Sequence, residues 1–120
     1  MWGTCVSSSL SKIPYEAVDC FNFNSGIANL VRMADIADAA GIPCWHGSEV
    51  DLGILEAAYL HACAAARNCT LRSDILSELV REDDLILEPV RIQNGRAAVP
   101  QGPGLGVELD VRALEEFRVG

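Results

Sequence analysis

The chain has 120 residues, with 17 Asp and Glu against 9 Lys and Arg, a net charge of −8. Half the residues are apolar and 22% are charged, a composition that buries a core rather than staying unfolded. The length suits one domain and falls short of a complete (β/α)8 barrel of roughly 250 residues, while the scattered basic residues argue against nucleic acid or an anionic membrane as partner.

No run of 18 apolar residues occurs, so no bilayer-spanning helix is expected. Residues 1–6 are too polar and uncharged to read as a signal peptide. Five cysteines (Cys5, Cys20, Cys44, Cys63 and Cys69), with no CxxC pair, read as reduced thiols. A cytoplasmic location is the expectation.

Residues 17–23 form a short strand candidate. A helix follows over 27–40, with Ile27, Leu30, Val31, Ala34, Ile36 and Ala37 near the i, i+3, i+4, i+7 template. Gly41 stands where a helix-terminating glycine belongs. Residues 42–45 are a second strand candidate, with Pro43 near its start. A second helix is expected from 50 or 51 to 66, with Ser48 as N-cap and many alanines that allow close packing on a sheet. Residues 70–73 make a third short strand, and 75–79 a helical turn. Residues 85–87 and 96–99, around Asn94-Gly95, read as a hairpin. Residues 102–106 are a glycine-rich structural loop, and Asp110 caps a last helix through Phe117. Strand–helix–strand–helix–strand with short connections is the pattern of an α/β protein built from βαβ units.

Several of these stretches occur together in a known family. The run Ala34-Asp35-Ile36-Ala37-Asp38-Ala39-Ala40-Gly41-Ile42-Pro43 resembles the helix and turn after the sixth barrel strand of the mandelate racemase/muconate lactonizing enzymes, in the enolase superfamily. The helix that carries His61 resembles the next one. The tail is the most specific part: Glu88-Pro89, Asn94-Gly95, Val99-Pro100, Gly102-Pro103-Gly104-Leu105-Gly106 and Leu109-Asp110 follow in the family's order.

The resemblance implies a partial (β/α) barrel. Residues 1–87 correspond to the C-terminal portion of the barrel domain. Residues 88–120, with the closing β-hairpin, correspond to the tail that packs on a capping domain in full-length members. The implied chemistry is isomerisation, racemisation, cycloisomerisation or dehydration of a small carboxylate by α-proton abstraction, with Mg2+ stabilising the enediolate. The family's metal ligands lie on earlier strands, so no metal is expected on this chain alone. The alternative is a non-catalytic, truncated half-barrel that self-associates through open strand edges, and a homo-oligomer is expected.

Three residues match positions that could carry chemistry. Asn24 follows Asp19 by five residues, where lactonizing members end strand six with a Lys; an amide is no base, and a turn or capping role is the other reading. His46 follows the second strand within about one position of the acid/base His of racemase-like members, and imidazole suits proton transfer near neutrality; a satisfied loop histidine is the other reading. Asp74 falls where many members carry an acid after strand eight, and otherwise caps the turn at 75–79. Glu49 and Asp51 are acidic neighbours of His46. His61, amid alanines, reads as packing. If the barrel reading holds, Asn24, His46 and Asp74 gather at one end of adjacent parallel strands about 4.8 Å apart, within roughly 15 Å of one another.

Overall fold

The structure is a computed structural model in which residues 18–75 and 80–119 are described. The chain divides into two units, one containing residues 18–49 and 62–74, the other 50–61, 75 and 80–119.

In the first unit, the aromatic–polar–aromatic run Phe21-Asn22-Phe23 forms strand β1 (Phe21–Phe23). Pleating puts Phe21 and Phe23 on one buried face, at 2% and 3% exposure, and Asn22 on the other. The two rings stack with centroids 5.5 Å apart. Helix α1 (Ile27–Ala39) follows, burying Leu30, Ala34 and Ala37. Its end is the glycine-terminated turn expected from the sequence: Ile42 N–H donates to the Ala37 carbonyl and Gly41 N–H to the Asp38 carbonyl, both at 2.9 Å.

Strand β2 (Cys44–His46) runs parallel to β1, with Phe21 opposite Cys44, Asn22 opposite Trp45 and Phe23 opposite His46. The expected third strand is reduced to one parallel bridge, Cys44 to Cys69. The ladder stops there because Thr70 N–H turns back to the Asn68 carbonyl. Leu71 N–H then reaches the Cys44 carbonyl, and His46 N–H meets the Ser73 hydroxyl instead of a backbone carbonyl. The helical turn expected over 75–79 lies outside the described residues but for Ile75.

Helix α2 (Gly53–Ala65) begins later than the sequence suggests, and Ser48 is not its N-cap. Val50 takes a positive φ of 63°, which breaks any helical path from Ser48. In the second unit, Gly53 N–H donates to the Asp84 carbonyl. A Cβ on Gly53 would meet the Ile86 side chain at 2.6 Å, so the first turn of the helix is fixed by tertiary packing.

Asn94 and Gly95, with φ of 52° and 71°, make the expected two-residue turn. Its arms, however, are β3 (Ile92–Gln93) and β4 (Arg96–Ala97), paired Gln93 to Arg96 and Ile92 to Ala97. The expected first arm, 85–87, is engaged elsewhere: Ile86 bridges Leu109 antiparallel, and Leu87 N–H donates to the Glu108 carbonyl. Asp110 caps α3 (Val111–Glu116), its Oδ1 accepting from the N–H groups of Arg112 at 2.9 Å and Ala113 at 3.1 Å.

Candidate functional site

The parallel pairing of β1 with β2 sets both C-terminal strand ends at one edge of the first unit. Asn24 lies one residue past β1, and its amide Nδ2 donates to Glu49 Oε1 at 2.6 Å. Helix α1 has its N-cap at Gly26, two residues past Asn24. His46 is the last residue of β2, not the loop residue after it, and is only 1% exposed. Its Nδ1 lies 2.9 Å from the Phe23 carbonyl, so the ring donates Nδ1–H and the lone pair sits at Nε2. Gly47 N–H reaches the same carbonyl at 3.4 Å. Asp74 joins the edge from the third segment, Oδ1 accepting from Ser48 N–H at 2.8 Å. The segments bearing Asn24, His46 and Asp74 therefore meet at one edge.

The pleat nevertheless divides them. His46 shares the buried face of Phe21, Phe23 and Cys44. Asn22 shares the opposite face with Trp45, and both are half-buried. Asn22 Oδ1 meets no hydrogen-bond partner among the described residues. A Cβ on Gly47 would fall on the Asn22 amide, so Gly47 leaves the space that this side chain fills. Sequence reasoning passed over Asn22. The signal was present: a polar residue between two phenylalanines in a strand points to the face away from their core.

Behind the edge lies a group of thiols. Burial pushes Cys44 up to about 12, with the adjacent Cys69 adding to the effect. Cys69 is drawn down to about 7, chiefly by a hydrogen bond from Cys63, helped by Cys44 and the backbone of His46. Cys63 is raised by that same bond and by burial.

Among the described residues no group of three or more His, Cys, Asp or Glu is placed to hold a metal ion. The donor set that an enediolate-stabilising Mg2+ requires is therefore not met by them. In the second unit, an open groove of about 1260 Å³ runs past the hairpin, lined among others by Arg91, Arg96 and Gln101. None of the three candidate residues lines it. No helix among the described residues is long and apolar enough to cross a membrane.

Comparison with known proteins fits this geometry. Residues 16–113 match the family described as enolase C-terminal domain-like. The chain belongs to that family. The matched segment corresponds to the C-terminal part of the mandelate racemase/muconate lactonizing enzymes of the enolase superfamily. A chloromuconate cycloisomerase of Pseudomonas putida is 31% identical over 116 residues, covering 93% of this chain and 31% of that enzyme. A muconate cycloisomerase of Rhodococcus opacus is 32% identical, covering 77% of this chain and 25% of that enzyme. The crystal structure of muconate cycloisomerase from Pseudomonas fluorescens superposes with a TM-score of 0.83 at 28% identity, over 90% of this chain and 31% of the other. An isomerase from Streptomyces coelicolor superposes with a TM-score of 0.81 at 32% identity, over 89% of this chain and 30% of the other. The chain thus spans about a third or less of the length of these family relatives.

Proposed function

We propose that this chain supplies the last strand–helix units of a cycloisomerase-type barrel, with the hairpin tail closing it, in an enzyme that abstracts the α-proton of a small carboxylate. Support comes from the muconate cycloisomerase relatives and from one observation: the register that pairs Phe23 with His46, with Asp74 fastened to Ser48 N–H, brings three segment ends to one edge. Parallel α/β folds assemble their sites at that end.

A carbon acid next to a carboxylate ionises at neutral pH only where a base is positioned and the enediolate is stabilised. His46 is the group suited to carry the proton. Its Nδ1–H bond to the Phe23 carbonyl orients the ring and sets the tautomer, placing the basic electron pair at Nε2. Asn24 and Asp74 shape the rim by fixing Glu49 and Ser48, and the Asn22 amide faces the opposite side of the strands. In a full-length member Mg2+, held by residues other than these, would offset the negative charge of the enediolate.

The test is assembly. The chain is co-expressed with the complementary N-terminal part of the Pseudomonas fluorescens enzyme, and muconolactone is followed by NMR for solvent deuterium entering the α-position. A folded complex with Mg2+-dependent exchange that disappears in His46→Gln supports the proposal. A folded complex without exchange overturns it.

A second reading is a self-associating, non-catalytic half-barrel, consistent with β1 pairing only with β2 among the described residues. It requires a stable homo-oligomer of the chain in sedimentation and no exchange in the co-expressed complex.

A further inference from the structure

The Asn94-Gly95 corner of the hairpin carries chemistry that the proposed site does not use. Both residues are exposed, with φ of 52° and 71°. The amide carbon of an asparagine side chain can close on the nitrogen of the next residue to form a succinimide ring, and a glycine leaves that nitrogen uncrowded. A Cβ placed on Gly95 would meet nothing within 4 Å, so no neighbour hinders the movement of this corner. Neither the Asn94 amide nor the Gly95 N–H has a hydrogen-bond partner among the described residues. The ladder behind the turn holds only the pairs Gln93 with Arg96 and Ile92 with Ala97, so it opens locally at small cost.

The other asparagines are held. Leu30 N–H, which follows Asn29, donates to the Gly26 carbonyl at 2.9 Å, and Cys69 N–H, which follows Asn68, to the Ala66 carbonyl at 3.1 Å. The side-chain amides are engaged at Asn24, which donates to Glu49 Oε1 at 2.6 Å, and at Asn68, which donates to the Ile42 carbonyl at 2.5 Å. Asn22 lies within β1, before the stacked ring of Phe23. Of the asparagines in the chain, Asn94 is the one that precedes a glycine.

We propose that Asn94 is a self-modifying site, converted through a succinimide to aspartate and isoaspartate. In the first step the Gly95 nitrogen gives its proton to solvent and attacks Asn94 Cγ. The Cγ–N bond forms, the Cγ–Nδ2 bond breaks, and Nδ2 leaves as ammonia. In the second step water adds to one of the two ring carbonyls. Addition at Cγ breaks the new bond and leaves aspartate in a normal backbone. Addition at the backbone carbonyl breaks the original peptide bond and leaves isoaspartate, with the chain running through the side chain. One ammonia departs and one water enters, with no change of oxidation state. The consequence falls on the groove beside the hairpin, where Arg91 and Arg96 face Glu88 as the ionised lining residues. Two cations there outnumber one anion, and a carboxylate at position 94 balances them. The isoaspartate form also adds a methylene to a turn that joins Gln93 to Arg96 through two residues.

The experiment incubates the whole chain at mildly alkaline pH in heavy-oxygen water, digests it in ordinary water and maps the peptides by mass spectrometry. Cleavage after Arg91 and Arg96 frees Asn94 on the peptide 92–96, while Asn68 lies on 68–72 and the remaining asparagines on 13–32. The peptide 92–96 should take up heavy oxygen and resolve into aspartate and isoaspartate forms, the second of which accepts a methyl group from an isoaspartyl methyltransferase. Because the nitrogens after Asn29 and Asn68 must first give up a hydrogen bond, label should enter 92–96 about tenfold faster than the other two peptides. Asn94→Gln, whose ring would be one atom larger, should leave 92–96 unlabelled. Label entering 92–96 no faster than 68–72 overturns the proposal. So does a labelled product that is aspartate alone, which would mean direct hydrolysis of the amide without the ring.

Discussion

Arg81 holds two carboxylates in the second unit. Its Nη2 lies 3.2 Å from Glu56 Oε2 and 2.5 Å from Asp84 Oδ1. The three side chains are only 9%, 2% and 7% exposed. One guanidinium thus offsets two carboxylates that have left water, and removing it strands both. Breaking a buried pair from one side costs about 3–5 kcal/mol, because the remaining charge stays desolvated without a partner. Arg81→Ala should therefore lose about that much in urea denaturation followed by circular dichroism. At about 4 °C per kcal/mol for a chain of this size, its melting point should fall by roughly 12–20 °C. Glu56→Gln should cost less, about 1–2 kcal/mol, since Asp84 still faces the guanidinium and the amide is neutral. Arg81→Met, Glu56→Leu and Asp84→Leu combined should come within about 1 kcal/mol of the parent, because no buried charge remains. An Arg81→Ala loss below about 1 kcal/mol would refute the reasoning, for it would mean that the trio is solvated.

Three further outcomes are expected. Gly47→Ala should destabilise the chain by about 1–3 kcal/mol through collision with the Asn22 amide, and Asn22→Ser in the same chain should restore part of the loss in a double-mutant cycle. Asp110→Ala should cost about 1 kcal/mol by freeing the Arg112 and Ala113 N–H groups, while Asp110→Asn keeps most of it; thermal melts compare the two. Cys69 alkylation by iodoacetamide should be half-maximal near pH 7, the value to which its neighbours draw it, against 9 for an ordinary thiol. The sign for stability follows: between pH 7 and 9 the unfolded chain holds the Cys69 proton that the folded one has lost, so stability rises with pH. Above pH 9 the raised Cys44 thiol reverses this, because unfolding releases a proton that the fold retains up to about 12. A pH series of urea midpoints checks both limbs.

What the sequence disclosed was local. Helix α1 was legible because its buried set, Leu30, Ala34 and Ala37, lies on one helical stripe and Gly41 ends it by a backbone rule. Asp110 was legible for the same kind of reason, since a cap needs only its own first turn. The start of α2 was not, because it depends on Val50 leaving the helical region and on Gly53 fitting beneath Ile86 from another segment. The Asn94-Gly95 turn was legible, but its arms were assigned to the more apolar run at 85–87, which is taken up by Leu109 far along the chain. The family was legible from the tail motifs together with the 34–43 run, and residues 16–113 match it. Of the candidate site, the meeting of three segments followed from parallel connectivity. The sidedness of His46 and the part of Asn22 did not, since they rest on the pleat register between β1 and β2.

That register gives Asn22 an unusual standing. Its Oδ1 is shielded from solvent and meets no partner among the described residues, an arrangement that costs about 1–3 kcal/mol relative to a satisfied or apolar group. Val or Leu at a half-buried strand position would serve folding better, and the neighbouring positions do hold Phe21, Phe23 and Trp45. Asn22→Leu, close in size and free of the orphaned oxygen, should therefore stabilise the chain by about 1–2 kcal/mol in urea denaturation. On the proposed function the proton is carried by His46 on the other face of the strands, so the Asn22 amide takes no part in its transfer. The same variant in the co-expressed complex should then keep its deuterium exchange while the complex still forms. Stabilisation together with retained exchange identifies the orphaned oxygen as a cost borne by the fold alone. Destabilisation of the chain by Asn22→Leu would show instead that the amide is satisfied where it lies, and the argument from its orphaned oxygen would fail.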